Sequence, residues 1–438
     1  MQADKTTVND LSIFHNEEEQ SVFHHLDFTT TIGGKEWLRY LLANPYSDLE
    51  KIQETQQTLQ LIIKNEEQWP AIITNGTVMV VQKFYDSSID AIPNDPNLIN
   101  SLYYKIIKSQ DFSLIKFSVT HFIDFAIGLK QIIDCFDNEN KPKLLQTIID
   151  HIKFLTDKPV IKTMMNWNKK QKLSNQNYLT FGHYLRYHFK ERALELADIY
   201  SRLDAYHSMA MATKKFRFCF PAIRKADSPF MSARAMYHIL VAAPVAYDLE
   251  LNQHKNFLFL TGANMAGKST FIKAVGVSVY LAHVGMGVPA ESFELSLFHG
   301  LLSNIQVEDN ISRGESFFFN EVQRIKKTID KINDGRNWLI LIDELFKGTN
   351  VQDAMKCSIT VIEGLRRMKN TLFILSTHLY EIGEGLKQYP NIKFNYFETR
   401  IEDGQLIFSY QLKEGISNDR LGYLIMKREG VVNMLENL

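Results

Sequence analysis

The chain is poor in cysteine: Cys135, Cys219 and Cys357 are far apart and odd in number. That excludes a disulfide framework and any zinc-ligand spacing, and points to a reducing compartment. No apolar run reaches about 18 residues, so no membrane span and no membrane partner are expected. The first twenty residues are polar and acidic, unlike a secretory signal, and the expected setting is the cytoplasm. An excess of one charge is also missing, with 49 basic against 50 acidic residues. A near-neutral total neither announces nor excludes a nucleic-acid partner, because binding needs a local basic face. There is no internal repeat and no low-complexity tract. What is present is 438 residues of 45% apolar content, enough for two or three domains with real cores.

The two halves differ in texture. Up to about residue 213, long stretches carry helical periodicity, broken at Pro93-Asn94-Asp95-Pro96, at 137–142 and at 166–172. The longest predicted helix is 183–213, without Pro or Gly, with Leu185, Phe189, Leu196, Ile199, Leu203, Tyr206 and Ala210 mostly three or four apart. Such a helix would be roughly 45 Å long at 1.5 Å per residue. It reads as a rigid strut or simply as a bundle helix. After Phe220 the pattern changes to short apolar runs ending in glycine or polar residues: 257–260 before Thr261-Gly262, 338–342 before Asp343-Glu344, and 371–375 before Ser376-Thr377-His378. Strands apolar on both faces, alternating with helices, predict a largely parallel α/β sheet with active groups just past the strand ends.

Gly262-Ala263-Asn264-Met265-Ala266-Gly267-Lys268-Ser269 fits G-x4-G-K-[ST], between an apolar strand and a helix-compatible run from Ser269 to about His283. Glycines let backbone N–H groups turn around phosphate oxygens, and the next helix points its positive end at the same anion. Lys268 is expected to reach the β- and γ-phosphates, and the Ser269 hydroxyl to ligate Mg²⁺. At the next strand end, Asp343 is expected in the Mg²⁺ shell and Glu344 to orient or deprotonate the attacking water. His378, at the end of the strand after that, is placed to sense the γ-phosphate. A further segment, 311–316, leads into a helix over 317–332. There Glu321, Arg324, Lys327 and Asp330 predict an exposed stripe, and Val322, Ile325 and Ile329 an apolar one.

Together these motifs resemble the MutS family of ABC-type ATPases. Residues 261–270 resemble T-G-P-N-M-G-G-K-S-T, with Ala263 for Pro and Ala266 for Gly, and keep the Asn264-Met265 pair particular to the family. Val284-Gly285-Met286-Gly287-Val288-Pro289-Ala290 resembles I-G-x-x-V-P-A, and residues 309–321 resemble the signature segment, with Gly314, Ser316, Phe318 and Glu321 of the expected types. Residues 343–349 resemble D-E-I-G-R-G-T, Ser376-Thr377-His378 resembles A-T-H, and Gly415, Ser417, Gly422, Gly430 and Val431 follow the family's late glycine pattern. More loosely, residues 29–52 look like the opening of the helical core domain, with a glycine turn and then a Pro-initiated helix. Residues 204–212 look like the stretch feeding the ATPase.

The resemblance implies an α/β P-loop NTPase (ABC-type) domain at 218–438, preceded by an all-α core/lever-like domain at 1–217. It implies ATP and Mg²⁺ as cofactors. The nucleotide would be held by Gly262, Ala263, Asn264, Met265, Ala266, Gly267, Lys268, Ser269 and Thr270, with Ser269 and Asp343 on the metal and Glu344, His378 and Lys268 catalytic. It also implies a homodimer through the ATPase domains, in which Ser316 meets the γ-phosphate of the partner's nucleotide. With about 20 polar residues before the core-like segment, the family's mismatch-reading and connector domains are not expected. Lys347 replaces an Arg and Glu315 stands beside the signature serine, changes expected to slow or retune hydrolysis. The leading expectation is an ATP-driven dimeric switch acting on DNA, without mismatch or sequence preference. Basic residues at Lys169-Lys170-Gln171-Lys172 and at Lys214, Lys215, Arg217, Arg224 and Lys225 read as solvated faces or as phosphate contacts. The competing readings are an ATP-gated protein-interaction module with no DNA role and, less well supported, a transporter ATPase subunit.

Overall fold

The computed structural model describes residues 1–94, 96–305, 317–402, 405–417, 426 and 431–436. They form a mixed α/β protein of two compact units: Leu26–Ala43 with Gln53–Lys214, and Met1–His25 with Asn44–Ile52 and Lys215–Leu438. The units depart from a single cut at residue 217, because the first 25 residues and a later short segment pack with the sheet unit.

After α1 (Lys5–Asp10) and α2 (Val22–Leu26) come α3 (Ile32–Ala43), α4 (Leu49–Lys64), α5 (Asn75–Lys83), α6 (Leu98–Ile107) and α7 (Ser109–Cys135). Then follow α8 (Lys143–Thr156), α9 (Pro159–Met165), α10 (Asn175–His188) and α11 (Lys190–Lys215). In the helical unit, α7 is central: Phe112, Ile115, Val119, Phe122 and Leu129 are buried on it, and it packs against α5, α6, α9 and α10. Among the described residues it is the helix long and apolar enough to cross a bilayer, yet more than half of its apolar window is buried within the fold.

Two expectations for this half change. The helix over 183–213 is two helices, because Phe189 adopts φ −128° and ψ 3° between α10 and α11. Its ring is buried and stacks on Tyr184, so the hydrophobic rhythm runs on while the backbone does not. α11 alone, with 26 residues, is about 39 Å long. The second change concerns Gly33 and Gly34, which lie inside the first turn of α3 rather than in a turn before it. A Cβ on Gly34 would stand 2.2 Å from Asp204 Oδ2. Asp204, fully buried on α11, accepts from the Thr31 N–H (2.8 Å), the Thr31 hydroxyl (2.7 Å) and the Thr30 N–H. Gly34 allows this close approach, as Gly33 does that of Ser201, and the carboxylate satisfies orphan donors at the start of α3.

The sheet unit continues with β1 (Ala222–Arg224), β2 (Met231–Met236), β3 (Tyr247–Leu251), β4 (Phe257–Thr261), α12 (Lys268–Val284), β5 (Ser292–Ser296) and β6 (Gly300–Asn304). It is completed by α13 (Phe317–Ile332), β7 (Trp338–Asp343), α14 (Val351–Leu365), β8 (Thr371–Ser376), α15 (Glu381–Leu386), β9 (Ile392–Glu402), β10 (Gln405–Glu414) and α16 (Val431–Glu436). The main sheet has the order β10-β9-β4-β8-β7-β6. All its pairings are parallel except β10 with β9. The three apolar runs expected as strands are its three inner neighbours β4, β8 and β7. Phe257, Phe259, Ile340, Phe373 and Leu375 face a core shared with Ile325, Ile362 and Ile382 of α13, α14 and α15. α12 packs against β7 and β8. A smaller sheet, β1-β5-β2-β3, was not expected. Its signal was the strict alternation of buried and exposed residues in Met231-Ser232-Ala233-Arg234 and Tyr247-Asp248-Leu249-Glu250-Leu251.

The N-terminal segment joins this unit through specific contacts. Gln2 bridges to Gly300 beside the edge strand β6. Asp10, 2% exposed, accepts from the Ser303 hydroxyl (2.6 Å) and the Ile305 N–H (2.9 Å), with Arg324 of α13 at 3.5 Å. Leu11 packs where a side chain on Gly276 of α12 would stand, 2.4 Å from that position.

Candidate functional site

β4 delivers the chain into a loop whose backbone requires glycine at two points. Gly262 has φ +143° and Gly267 φ +107°, and a Cβ on either would press on Phe397 or Tyr410 at 3.2–3.3 Å. Met265, the non-glycine residue at φ +69° in this loop, is an exposed loop tip. Lys268 opens α12 and folds back, its ammonium donating to the carbonyls of Gly262 (2.8 Å) and Ala263 (3.0 Å). Burial pulls its pKa down, and the charges of Glu344 and Asp343 push it back up.

The end of β7 meets the start of α12. The Ser269 hydroxyl donates to Asp343 Oδ2 at 2.5 Å, and the Ser376 hydroxyl of β8 bonds the other Asp343 oxygen. Glu344 follows at φ +65°, its N–H bonded to the Ser376 carbonyl at 2.9 Å. Its carboxylate lies 3.3 Å from His378 Nδ1 and 3.4 Å from Lys347 Nζ. The His378 hydrogen bond, then the charges of Lys347, His378 and Lys268, hold its pKa at about 2 against the opposing effect of burial. His378, expected beside a phosphate, is thus placed on Glu344.

Of these groups, Gly267, Lys268, Ser269 and Glu344 line a cavity of about 600 Å³, a size typical of small-ligand sites. Asn264, Met265, Gly267, Lys268, Ser269, Thr270 and Glu344 border it, whereas Gly262 and Ala266 shape the loop behind it. The rest of its lining is largely apolar and aromatic, with Val241, Pro244, Val245, Tyr247 and Tyr410. Sequence reasoning missed this wall, because its residues come from two separate places, 241–247 and 410, and carry no motif. It also missed His238, 7% exposed, at the same wall. His238 Nδ1 accepts from the Leu240 N–H at 3.2 Å, so the neutral ring carries its proton on Nε2, which has no partner among the described residues. Burial, then the charge of Lys273, lowers its pKa to about 4.

Glu321 is a correction: expected on an exposed stripe, it is 2% exposed. Its carboxylate accepts from the Lys347 N–H (3.1 Å) and the Gly348 N–H (3.3 Å), which draws it inward to the turn after Glu344. Ser316 and the rest of 306–316 lie outside the described residues, as do Gly422 and Gly430. Several basic side chains are engaged locally: Lys169 pairs with Asp124, Lys214 with Glu66, and Arg224 stacks on Phe230.

Among the described residues no group of three His, Cys, Asp or Glu side chains gathers to hold a metal. The Ser269–Asp343 pair offers two hard oxygen donors beside the phosphate-type loop. That suits a cation such as Mg²⁺, which takes few protein ligands and fills its shell with water and phosphate oxygens.

A helical unit and a parallel-sheet unit bearing this loop define a two-unit α/β protein, and comparison with known families agrees. A model of MutS domain III matches residues 6–314, and a model of MutS domain V matches residues 258–435. The domain III match covers more than half of the chain, which therefore belongs to the MutS family. Among its relatives is the DNA mismatch repair protein MutS of Pseudothermotoga lettingae, 30% identical over 52% of this chain and 28% of that protein. The DNA mismatch repair protein MutS of Staphylococcus haemolyticus is 25% identical over 88% of this chain and 44% of its own length. That of Thermosipho melanesiensis is 24% identical over 82% and 46%. The chain thus spans less than half the length of these relatives.

Proposed function

We propose that the sheet unit is a P-loop, ABC-type ATPase, and that the chain is an ATP-driven dimeric switch acting on DNA without mismatch recognition. The observation that carries this reading is the meeting of Lys268 and Ser269 with Asp343, Glu344 and His378 beside a nucleotide-sized cavity. The backbone of residues 262–267 cradles phosphates, and Lys268 leaves the Gly262 and Ala263 carbonyls for the β- and γ-phosphates. Thr270 lines that cavity. The apolar wall with Tyr410 takes the base. Ser269 and Asp343 hold Mg²⁺, which neutralises phosphate charge when bound. Glu344, kept ionised by His378 and Lys347, accepts a proton from water as its oxygen attacks the γ-phosphorus and ADP leaves. Ser316 of one chain completes the partner's site, so ATP favours the closed dimer and hydrolysis releases it. The DNA role comes from the relatives' names.

Glu344→Gln tests the reading: ATP still binds, while Mg²⁺-dependent hydrolysis falls by about 10²–10⁴-fold. Undiminished hydrolysis in that variant would falsify the role of Glu344. A second reading, an ATP-gated protein-interaction module without DNA, is favoured by the local engagement of Lys169, Lys214 and Arg224. A DNA-binding titration across a salt series separates the two. A DNA-acting switch binds at low salt with a steep salt slope, and no binding at low salt, with or without ATP, leaves the interaction module.

A further inference from the structure

Helix α6 is turned the unexpected way round. Its buried side consists of Ser101 and Tyr104, facing α7 and α10. Its outward side carries Leu98, Ile99, Leu102, Tyr103, Ile106 and Ile107, from 52% exposed at Leu102 to 78% at Ile99. At 100° per residue these six cover half the helix circumference. With roughly 150–200 Å² per large side chain, they present on the order of 600–800 Å² of apolar surface. Soluble monomers seldom leave such a patch open.

We propose that this face of α6 docks on the same face of a second copy of this chain, forming a contact that does not depend on nucleotide. Three observations select that occupant. The exposed area is about that of one side of a standard protein–protein interface, roughly 800 Å² per partner. The residues form two rows at steps of four, 98-102-106 and 99-103-107, with a groove between them. Ridges of that spacing interdigitate with their own copy across a twofold axis, so the surface is self-complementary. The six side chains are uncharged, and the cations at the margin have local partners: exposed Lys105, beside the Leu98 row, lies over the Phe112 ring, and Lys108 pairs with Asp90. Nothing on it would select an acidic partner, a nucleic acid or an anionic headgroup.

The test is sedimentation velocity of the full chain without nucleotide over a wide concentration range, beside Leu102→Glu/Ile106→Glu. Both side chains are already solvent-exposed, so the variant keeps its circular dichroism spectrum. The expected result is a wild-type dimer whose dissociation constant rises at least about 100-fold in the variant, a shift of ~2.8 kcal/mol. As a check that needs no disruption, Tyr103→Cys, at the middle of the helix, forms a covalent dimer on mild oxidation. A wild-type chain that stays monomeric, an unaltered dimer in the double variant, or no covalent dimer from Tyr103→Cys overturns the proposal. Wild-type monomers that float with phosphatidylcholine vesicles overturn it in favour of a bilayer. Because every arm omits ATP, these outcomes are independent of the proposed ATPase.

Discussion

Glu321→Gln removes one half of a carboxylate fork and leaves the other. In the structure both oxygens of this buried side chain are used, on the N–H groups of Lys347 and Gly348. The amide keeps one acceptor and turns an NH₂ toward the second N–H, leaving a buried donor unmatched at ~1–3 kcal/mol. Burial already pushes the Glu321 carboxyl pKa upward, so a neutral amide is easier to bury, and the loss in global stability is about 1 kcal/mol. The local effect is larger than the global one. Glu344 and Phe346 on the pinned turn hold φ of +65° and +59°, conformations costing of order 1–3 kcal/mol each that persist only while their surroundings impose them. Once the turn relaxes, Glu344 moves off the position from which it is proposed to act on the attacking water. A barrier higher by ~1.4–2.8 kcal/mol lowers kcat by about 10- to 100-fold. Glu321 does not line the cavity, so ATP affinity stays within about threefold, the pattern of an interaction felt mainly in the transition state. Steady-state hydrolysis and a fluorescent-nucleotide titration measure the two quantities. A fall in melting temperature with kcat untouched, or a matching rise in KM, would refute the positioning role.

His378→Ala removes the largest influence holding the Glu344 pKa at about 2, so that value moves toward the ordinary 4.5. A depressed carboxylate stabilises the fold above its unfolded pKa, and that stability is lost as pH falls through the folded pKa. In wild type that stability is lost as pH falls from about 4.5 toward 2, whereas in the variant, with folded and unfolded values alike, the group adds none at any pH. The stability gap between the two proteins therefore closes on acidification while hydrolysis in the variant starts to fall at higher pH; a gap in urea unfolding that is the same at pH 7 and pH 3 would count against the pair. Asp10→Asn leaves the largely buried Arg324 and the Ile305 N–H poorly matched, and is expected to cost ~2–4 kcal/mol in chemical denaturation of the sheet unit. A change under about 0.5 kcal/mol, the usual range for surface substitutions, would mean the N-terminal segment does not brace β6. Ser269→Ala raises the Mg²⁺ concentration needed for half-maximal hydrolysis, read by magnesium titration at fixed ATP; an unchanged requirement removes Ser269 from the metal.

Much of the sheet unit was legible because its information is local. Phe257, Leu258, Phe259 and Leu260 are apolar on both faces since β4 is covered on both, and a glycine must follow where φ turns positive. Asp343, Glu344 and His378 stand at strand ends, so a parallel order alone brings them near Lys268. Chain-distant decisions were not legible. The helical rhythm across residues 183–213 continues through Phe189, because a buried ring serves two helices as well as one. The Gly33-Gly34 pair looks like a turn until Ser201 and Asp204, far along the chain, are seen to need the space. Glu321 reads as solvent-facing by helical spacing, and only the turn after Glu344, with two amides to satisfy, draws it inside.

The amino-acid sequence by itself therefore determined the chemistry-bearing loop, the strand ends and the family, since each depends on residue type and short spacing. Tertiary structure alone decided that the N-terminal segment braces the sheet edge, that Tyr410 and His238 wall the cavity, and that α6 turns its apolar rows outward. Each of those outcomes is a choice of partner among surfaces far apart in the chain, and periodicity records how much a helix must bury without saying against what.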